Sequence, residues 1–348
     1  MAASGFAFQV GISPDWADWA RYTLQTALTE VLEPLPGLSH EVMPDSGGAI
    51  TCEILDRYDA VIAFAYPFLG QAVSGLKRLC CIARWGVGFD KVDVEACTST
   101  DVMVALSPRA VRRPMAEGIV ALIFALAKNI RPLDAQVRTG RWREKLNCQS
   151  ICVRGRTLGS VGLGNIASEL FSMVRGIGFG RLLSFDPYVS LEQATELGVE
   201  LVSLDTLVGE ADFVTVNAPL NADTRSLIGA RELARMKRTA YLINTSRGAL
   251  VDEAALLEAL RERRIAGAGL DVFESEPLPP GHPFYQLENV ILTPHSVGWT
   301  EELIRDLNFE TCESVRAVYE GKVPGNLANP RVVDRPGLQA KLAARRRA

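Results

Sequence analysis

Three short segments in the last third of the chain contain side chains suited to acid–base and anion chemistry. The first contains Arg247, whose planar guanidinium binds a carboxylate in a fixed geometry. The second contains Glu274 and Glu276, and the third contains His295, one of only three histidines in the chain. A paired glutamate is a common means of keeping an imidazole protonated near neutral pH. An anion-binding arginine together with a proton donor predicts an α-keto acid as the substrate, although His295 could instead cap the end of a strand.

The length and charge of the chain limit the classes of protein to consider. Its 348 residues exceed the usual size of one domain, so two domains are expected, and a hydrophobic content of 48% can supply two cores. The formal net charge is −4. The basic segment near the end contains Lys341, Arg345, Arg346 and Arg347 without interleaved aromatic residues. It predicts a solvated terminus, so no nucleic-acid partner is expected.

Cysteine usage and hydropathy indicate the compartment. The seven cysteines are odd in number, and several lie in apolar runs such as residues 79–82, which is typical of reduced, buried thiols in a cytoplasmic protein. Cys148 and Cys152 are close in sequence, but no second pair completes a zinc site, so no metal is expected. Residues 1–15 lack the pattern of a secretory signal, and the longest apolar stretch, residues 115–127, contains Glu117 and is too short to cross a bilayer. We therefore expect a cytoplasmic protein with no membrane partner.

Short apolar runs alternate with helical patterns along most of the chain, which is typical of βαβ units and parallel sheets. A long helix is expected to begin near Pro114, because proline is well tolerated in a first helical turn, and to run to about Ile130. Asp252 can cap a helix over residues 252–261, and a last helix, from about Thr300 to Tyr319, is expected to return to the first domain. The predicted strands span residues 6–12, 60–64, 79–83 and 102–106 before the long helix, then a strand that begins at Thr157, and then residues 181–185, 213–216, 241–244, 267–270 and 290–292.

A glycine-rich loop follows the first strand after the long helix. Gly162 permits a tight turn, Gly164 lets the backbone approach a pyrophosphate, and Ala167 takes the third glycine position of the dinucleotide-binding fingerprint. Such a loop alone can also be no more than a tight turn from strand to helix. Asp186 lies 22 residues after Gly164, where a carboxylate accepts from ribose hydroxyls and repels a 2′-phosphate. The pattern predicts NAD rather than NADP, unless Asp186 is only a turn residue at the end of a strand.

Taken in order, these motifs resemble the D-isomer-specific 2-hydroxyacid dehydrogenases, the family of D-3-phosphoglycerate, D-lactate and glyoxylate/hydroxypyruvate dehydrogenases. The resemblance covers residues 79–299, and it also rests on residues 84–90 (RWGVGFD), 218–220 (APL) and 236–237 (MK). It implies an α/β fold of two Rossmann-like, doubly wound parallel-sheet domains with an active-site cleft between them. Residues 1–106 and 302–348 would form a discontinuous substrate (catalytic) domain, and residues 107–301 the NAD-binding domain.

The resemblance also implies roles for individual residues. Arg247 would orient the carboxylate and carbonyl of the substrate, His295 would be the acid/base, and Glu276 rather than Glu274 would be its partner. During reduction, hydride would pass from C4 of the nicotinamide to the keto carbon while His295, as imidazolium, protonates the forming alkoxide. The backbone amides of Val87 and Gly88 would bind the substrate carboxylate. The implied cofactor contacts are Ser107, Gly162, Gly164, Asn165, Ile166, Asp186, Pro187, Ala218, Pro219, Thr224, Thr245, Arg247, Asp271, His295 and Gly298.

The roles of two tryptophans and three arginines near the predicted site are left open by the resemblance. Trp299 stands where the family usually has a small residue, so its indole could form a wall of the substrate pocket or pack in the interior. Trp85, just before the carboxylate-binding turn, raises the same question. Arg109, Arg112 and Arg113 precede the predicted long helix. They could attract an acidic substrate, but we expect them to be solvated.

The leading interpretation is an NAD-dependent oxidoreductase acting on a small 2-hydroxy or 2-keto acid. The alternative is a non-catalytic NAD(H)-sensing scaffold of the same superfamily, since such proteins retain the glycine loop and often the three catalytic side chains. Formate dehydrogenase is a third interpretation, and Glu276 disfavours it because those relatives usually have glutamine in that role. The resemblance further implies a homodimer formed around the long helix.

Overall fold

The computed structural model describes residues 7–16, 18–45, 47, 50–143 and 149–345. Cys148, Arg346 and Arg347 lie outside the described residues. The strands in chain order are β1 (Phe8–Ile12), β2 (Leu38–Val42), β3 (Ala60–Ala63), β4 (Cys81–Arg84), β5 (Met103–Ala105), β6 (Thr157–Val161), β7 (Arg181–Phe185), β8 (Glu200–Leu201), β9 (Phe213–Val216), β10 (Tyr241–Asn244), β11 (Gly267–Leu270) and β12 (Val290–Leu292). The α-helices are α1 (Asp18–Ala27), α2 (Cys52–Leu55), α3 (Val94–Ser99), α4 (Pro108–Ala127), α5 (Ile130–Arg138), α6 (Asn165–Val174), α7 (Leu191–Glu196), α8 (Leu204–Glu210), α9 (Ala230–Arg235), α10 (Glu253–Arg261), α11 (Glu301–Tyr319) and α12 (Pro336–Arg345).

The chain separates into two compact units. The first unit comprises residues 1–111 and 300–348, and the second comprises residues 112–299. Both ends of the sequence therefore contribute to the first unit, in which α11 contacts α1, β3 and β4. These units change after residues 111 and 299, whereas the sequence predicts domain boundaries after residues 106 and 301. Both sets of boundaries lie near the starts of α4 and α11.

The first unit contains a five-stranded parallel sheet in the order β2-β1-β3-β4-β5. This is the doubly wound order found in flavodoxin-like proteins. Every residue of β3 and β4 is buried. Continuous apolar strands are what a parallel sheet needs when helices cover both of its faces.

The second unit contains a seven-stranded parallel sheet in the order β12-β11-β10-β9-β6-β7-β8. The strand order reverses at β6, which makes the end of β6 the topological switch point at which open α/β sheets bind ligands. Strands β7, β9, β10, β11 and β12 have the bounds that the sequence predicts. The two sheets confirm the predicted α/β class with two Rossmann-like parallel-sheet units.

The long helix α4 begins at Pro108, so the predicted start near Pro114 was wrong. The reason is Glu310, whose carboxylate accepts the backbone amides of Arg109 (3.4 Å) and Ala110 (3.0 Å). These bonds satisfy donors that the first turn of a helix leaves without a partner. Pro114 lies in the helix interior, where its missing N–H removes one i→i−4 hydrogen bond.

The apolar stretch of α4 forms part of the core of the second unit. Ile119, Leu122 and Ile123 are buried and pack in one cluster with Phe171 of α6. The helix ends at Ala127, before its predicted end, and a left-handed residue at position 129 (φ 51°) separates it from α5. No helix in the described part of the chain is long and apolar enough to cross a bilayer.

The cysteines within the described ranges are free thiols, of which Cys80, Cys81, Cys97 and Cys312 are buried and Cys152 is exposed. Burial raises the pKa of the Cys97 thiol to about 12, so that it stays protonated and unreactive at neutral pH. Among the described residues, no group of three or more His, Cys, Asp and Glu side chains is arranged to hold a metal ion.

Candidate active site

The loop after β6 has the geometry of a dinucleotide-binding turn. Gly162 has a φ of +98°, and a Cβ atom there would lie 2.9 Å from the amide nitrogen of Ala218, so neither the conformation nor the space admits a side chain. Gly164 is the N-cap of α6, and a Cβ atom there would meet nothing within 4 Å. Ala167 is buried in the core beneath the turn. The open space at Gly164 adjoins the positive end of α6, so the residues present fit the pyrophosphate of NAD.

Asp186 follows β7 directly and connects this strand to the glycine loop. Its Oδ2 accepts the backbone amide of Leu163 (2.8 Å), and its Oδ1 accepts that of Tyr188 (2.9 Å). The carboxylate is therefore fixed beside the loop that leads into Asn165 and Ile166, the first residues of α6. Because each carboxylate oxygen can accept more than one hydrogen bond, lone pairs remain for ribose hydroxyls.

The loop after β9 carries the predicted cofactor residues Ala218, Pro219 and Thr224. The carbonyl of Ala218 accepts the hydroxyl of Ser246 (2.8 Å), which connects this loop to the segment after β10. The carbonyl of Pro219 accepts the hydroxyl of Thr224 (2.7 Å), whose oxygen in turn accepts the amide of Asn221 (2.8 Å). The loop is thus closed on itself and held against the segment that contains the candidate arginine.

The segment after β10 positions Arg247 through its backbone. Asn244, the last residue of β10, donates from Nδ2 to the carbonyl of Arg247 (2.9 Å). The following residue, Gly248, lies so close to Phe273 that a Cβ atom would overlap the carbonyl carbon of Phe273. Only glycine fits there, and its missing side chain brings the Arg247 segment next to the segment that contains Glu276.

Glu276 and His295 form a hydrogen-bonded pair, in which Glu276 Oε2 lies 2.8 Å from His295 Nδ1. The other oxygen, Oε1, accepts the backbone amide of Phe273 (3.0 Å). Partial burial raises the pKa of Glu276, but the hydrogen bond and charge of His295, the Phe273 amide and the charge of Arg247 outweigh it, so the pKa lies below its ordinary value. The carboxylate is therefore ionised at neutral pH and can accept a hydrogen bond from a protonated Nδ1 of His295.

His295 has a left-handed backbone conformation, with a φ of 53°. This conformation costs on the order of 1–2 kcal/mol for a residue with a side chain, so the surrounding contacts must hold it. Asp271, which is buried, supplies them. Its carbonyl accepts the amide of His295 (2.8 Å), and its Oδ1 accepts the hydroxyl of Thr293 (2.7 Å) and the amides of Ser296 (2.9 Å) and Val297 (3.1 Å). One buried residue thus fixes the loop on both sides of His295.

Helix α4 packs against the same loop through two glycines. A Cβ atom on Gly118 would lie 3.0 Å from the carbonyl oxygen of Val297, and one on Gly298 would overlap the sulfur of Met115. Each glycine therefore makes room for a residue of the facing segment. The sequence predicts a cofactor contact at Gly298, and close packing is a second reason for glycine at this position.

Some residues that shape the site were not identified from the sequence. Gly118 and Met115 lie within an apolar helical stretch, where nothing local distinguishes them from ordinary core residues. Gly248 had a usable signal, since a glycine directly after the candidate arginine suggests a close backbone approach. The structural role of Asp271 towards His295 also had no local signal, because its partners are 22 to 26 residues further along the chain.

In the first unit, the turn after β4 carries Val87 and Gly88. Arg84 holds this turn, since its Nε donates to the carbonyl of Gly88 (3.0 Å) and its Nη1 to the carbonyl of Ala63 (3.1 Å). The backbone N–H groups of Val87 and Gly88 donate to none of the described residues. Two neighbouring amides without an internal acceptor are suited to an anion, which is the role that the sequence predicts for them.

Trp85 and Ser107, also in the first unit, are enclosed by protein. The Trp85 side chain is only 6% exposed, its Nε1 donates to Oδ1 of Asn308 (2.8 Å), and its ring packs against Trp16. This environment favours a packing role over a pocket wall. The buried Ser107 hydroxyl donates to the carbonyl of Arg84 (3.0 Å). Its contact with the cofactor stays a prediction.

The three arginines at the start of α4 are exposed and pair with carboxylates of their own unit. Surface ion pairs of this kind contribute little to stability, and their charges are largely compensated locally. The structure therefore favours solvated arginines over a substrate-attracting cluster. The shortest contact of each is Arg109 with Glu313 (2.8 Å), Arg112 with Glu169 (2.8 Å) and Arg113 with Glu117 (2.6 Å).

Trp299 ends the loop that contains His295. Its amide donates to the carbonyl of Ser296 (2.9 Å), which closes a turn directly after the histidine. Its side chain is 41% exposed, in contrast to the enclosed Trp85. This exposure distinguishes the two tryptophans and leaves a large apolar surface on the His295 loop.

A dinucleotide turn at the switch point of a Rossmann sheet, in the same unit as a histidine that is hydrogen-bonded to a glutamate, is the arrangement expected of an NAD-dependent oxidoreductase. The family model described as "D-isomer specific 2-hydroxyacid dehydrogenase, NAD binding domain" matches residues 120–297. The chain therefore belongs to the D-isomer specific 2-hydroxyacid dehydrogenase family, and the proteins similar to it include NAD-dependent dehydrogenases that act on a CH–OH group.

Individual relatives agree with this assignment. The chain is 38% identical over 301 residues to a glyoxylate reductase of Korarchaeum cryptofilum, covering 85% of this chain and 90% of that protein. It is 39% identical over 260 residues to a D-3-phosphoglycerate dehydrogenase of Methanocaldococcus jannaschii, covering 74% of this chain but 49% of that protein. Among solved structures, D-lactate dehydrogenase from Aquifex aeolicus, complexed with NAD and lactic acid, matches with a TM-score of 0.80 and 26% identity over 92% of this chain and 98% of that chain.

Proposed function

We propose that the protein interconverts a small 2-keto acid and the corresponding D-2-hydroxy acid, with His295 as the acid/base. The observation that carries this proposal is the 2.8 Å contact between Glu276 Oε2 and His295 Nδ1. It occupies one ring nitrogen and leaves Nε2, which has no hydrogen bond to a described residue, available to exchange a proton with substrate. When bound, NADH supplies the hydride that adds to the keto carbon.

The side chains supply the remaining steps. In reduction, His295 Nε2 donates its proton to the carbonyl oxygen as negative charge develops there, and the ionised Glu276 stabilises the imidazolium before that transfer. Arg247 binds the substrate carboxylate and polarises the carbonyl. In oxidation, the neutral imidazole removes the hydroxyl proton. The backbone amides of Val87 and Gly88, which lack acceptors among the described residues, are proposed as further carboxylate donors.

Asp186 is proposed to select NAD over NADP, because a fixed carboxylate beside the glycine loop accepts from ribose hydroxyls and repels a 2′-phosphate. Asp271 is proposed to meet the nicotinamide carboxamide, since only its Oδ1 is used by the described residues. The other proposed cofactor contacts lie on loops at the ends of strands or on the first turn of a helix. They are Ser107, Gly162, Gly164, Asn165, Ile166, Pro187, Ala218, Pro219, Thr224, Thr245, Arg247, His295 and Gly298.

The proposed substrates are glyoxylate and hydroxypyruvate. Several similar proteins are named glyoxylate reductases, among them those of Korarchaeum cryptofilum and Aeropyrum pernix. Trp299 is proposed to contact the substrate, because its exposed indole lies on the loop of the acid/base. A bulky side chain at this position favours small acids over long ones.

The protein is further proposed to be a cytoplasmic homodimer. Buried free thiols such as Cys81 and Cys97 support a reducing compartment. Support for a dimer comes from α5, which directly follows the long helix α4. The side chains of Ile130, Val137 and the nearby Trp142 are exposed apolar groups suited to an interface.

Steady-state assays of the purified protein with glyoxylate, hydroxypyruvate, pyruvate and longer 2-keto acids, first with NADH and then with NADPH, test the proposal. We expect turnover of the small acids, and a kcat/KM at least about tenfold higher with NADH than with NADPH, equivalent to about 1.4 kcal/mol. Tight binding of NADH with no turnover of any acid would contradict the proposal and support the NAD(H)-sensing scaffold instead.

A further inference from the structure

A second Glu–His pair lies close to the first in sequence. Glu253 is the first residue of α10, and its Oε1 lies 3.2 Å from Nε2 of His282. Its other oxygen, Oε2, accepts the backbone amide of Glu274 (3.1 Å). One carboxylate therefore contacts two points of a single loop, and all of these residues belong to the second unit.

The environment of this pair favours a fixed geometry. The side chains of Glu253 and His282 are 19% and 15% exposed, so solvent screens their interaction less than it would on the surface. His282 Nδ1 accepts the backbone amide of Phe284 (3.3 Å). The proton of the neutral imidazole is therefore on Nε2, facing Glu253, and the contact does not require a charged histidine.

The two points that Glu253 holds flank Glu276. Glu274 lies two residues before Glu276, and His282 lies six residues after it. Between them, the Glu276 side chain turns back so that its Oε1 accepts the amide of Phe273 (3.0 Å). The direction of the Glu276 carboxylate thus depends on the conformation of the segment that Glu253 holds at both ends.

We propose that Glu253 and His282 are positioning residues for the acid/base site, acting through the loop over residues 273–282 to keep Glu276 within hydrogen-bond distance of His295. The proposal rests on the proposed function, because only acid–base chemistry at His295 makes this distance matter. Neither residue contacts substrate or cofactor in this role. The pair holds the start of α10 against the loop that contains Glu276.

The test compares Glu253→Ala with Glu258→Ala. Glu258 lies on the same helix and pairs with Arg264 at 3.1 Å on the surface, so it is a matched control. We expect Glu253→Ala to lower kcat about 10- to 100-fold, which is the effect of misplacing a reacting group by about 1 Å, and to shift the pH dependence of kcat. The KM for NADH should stay within about twofold, since the glycine loop is unaffected. Glu258→Ala should leave all three quantities unchanged.

His282→Gln is the milder second variant, in case Glu253→Ala does not fold. Its amide can still donate towards Glu253, so it should retain more activity than His282→Ala. Crystal structures of Glu253→Ala and His282→Ala should show a Glu276–His295 distance beyond hydrogen-bond range, which is a readout independent of turnover.

A lower Tm with an unchanged kcat and pH profile below that Tm, or an unchanged Glu276–His295 distance, would show that the pair is only structural and would overturn the inference. Failure of the proposed function is a different result. In that case His295→Gln would keep the turnover of the wild type, whatever happens at Glu253.

Discussion

The two Glu–His pairs of the second unit have the same chemical groups but opposite arrangements. His295 uses Nδ1 towards Glu276, and its Nε2 has no hydrogen bond to the described residues. His282 faces Glu253 with Nε2 and accepts the Phe284 amide with Nδ1, so both of its ring nitrogens are occupied. The His295 side chain is 46% exposed, compared with 15% for His282. A Glu–His pair is thus a candidate acid/base only when one ring nitrogen is open to a ligand.

The largest expected effect comes from removing the open nitrogen. His295→Gln keeps a side chain that can bond to Glu276 but cannot exchange a proton at neutral pH. We expect kcat to fall by about 10²- to 10⁴-fold, the usual contribution of a general acid, while NADH binding is retained. Steady-state kinetics and a fluorescence titration with NADH measure the two quantities.

His40 offers a matched control, because it too pairs with a glutamate, at 3.3 Å from Glu33, in the first unit. His40→Gln should leave kcat within about twofold of the wild type. Equal turnover of His295→Gln and His40→Gln would show that His295 has no catalytic role that distinguishes it from another histidine paired with a glutamate.

A smaller effect is expected from Gly248→Ala, which perturbs both pairs at once. The added methyl group would overlap the backbone at Phe273 and Glu274, where the Glu276 amide contact and the Glu253 contact both begin. Forcing this backbone apart should cost about 1–3 kcal/mol of stability and reduce kcat/KM about 10-fold or more. Urea unfolding and steady-state kinetics measure these changes.

The control is Gly209→Ala, in helix α8 of the same unit, where a Cβ atom would meet nothing within 4 Å. Alanine should raise stability there by up to about 1 kcal/mol, because it favours the helix. If Gly248→Ala were tolerated equally well, the close approach of the two segments would not be needed for either pair.

The smallest expected effect is a change in acid stability. The pKa of Glu276 is lowered in the folded protein, so the ionised carboxylate contributes stability above its unfolded pKa of about 4.3. This contribution is lost as the pH falls through the lower, folded pKa. On acidification, the Tm of the wild type should therefore fall further than that of Glu276→Gln. The difference between the two falls should be only about 1–2 °C, because solvent screens a pair this exposed. Parallel curves of Tm between about pH 3 and pH 6 would contradict a lowered pKa.

The strands that position the site could be predicted because their signal is local. β9 and β11 are short runs of buried residues, β10 is buried except at its first residue, and the sequence predicts the bounds of all three. Asp252 caps α10 as expected, accepting the amide of Ala255 (3.0 Å). Edge strand β2 (Leu38–Val42) was not predicted, because it is half exposed and has no continuous apolar run.

The contacts that bring the candidate catalytic segments together could not be predicted in this way. The start of α4 depends on Glu310, which is 201 residues from Arg109 in sequence. The close approaches of Gly248 to Phe273 and of Gly118 to Val297 join distant segments, and only the folded backbone reveals them. The types of the site residues can thus be identified from the local sequence, whereas the distances between these residues are set by long-range packing.

The interlocked glycines of α4 and the His295 loop have a consequence for protein engineering. Because Met115 fills the space at Gly298 and the backbone of Val297 fills the space at Gly118, the two segments must be exchanged together. A loop over residues 293–299 transplanted from a relative into this helix, or the reverse, would create either a void or a steric clash. The transferable module is therefore discontinuous, consisting of the loop and one turn of α4.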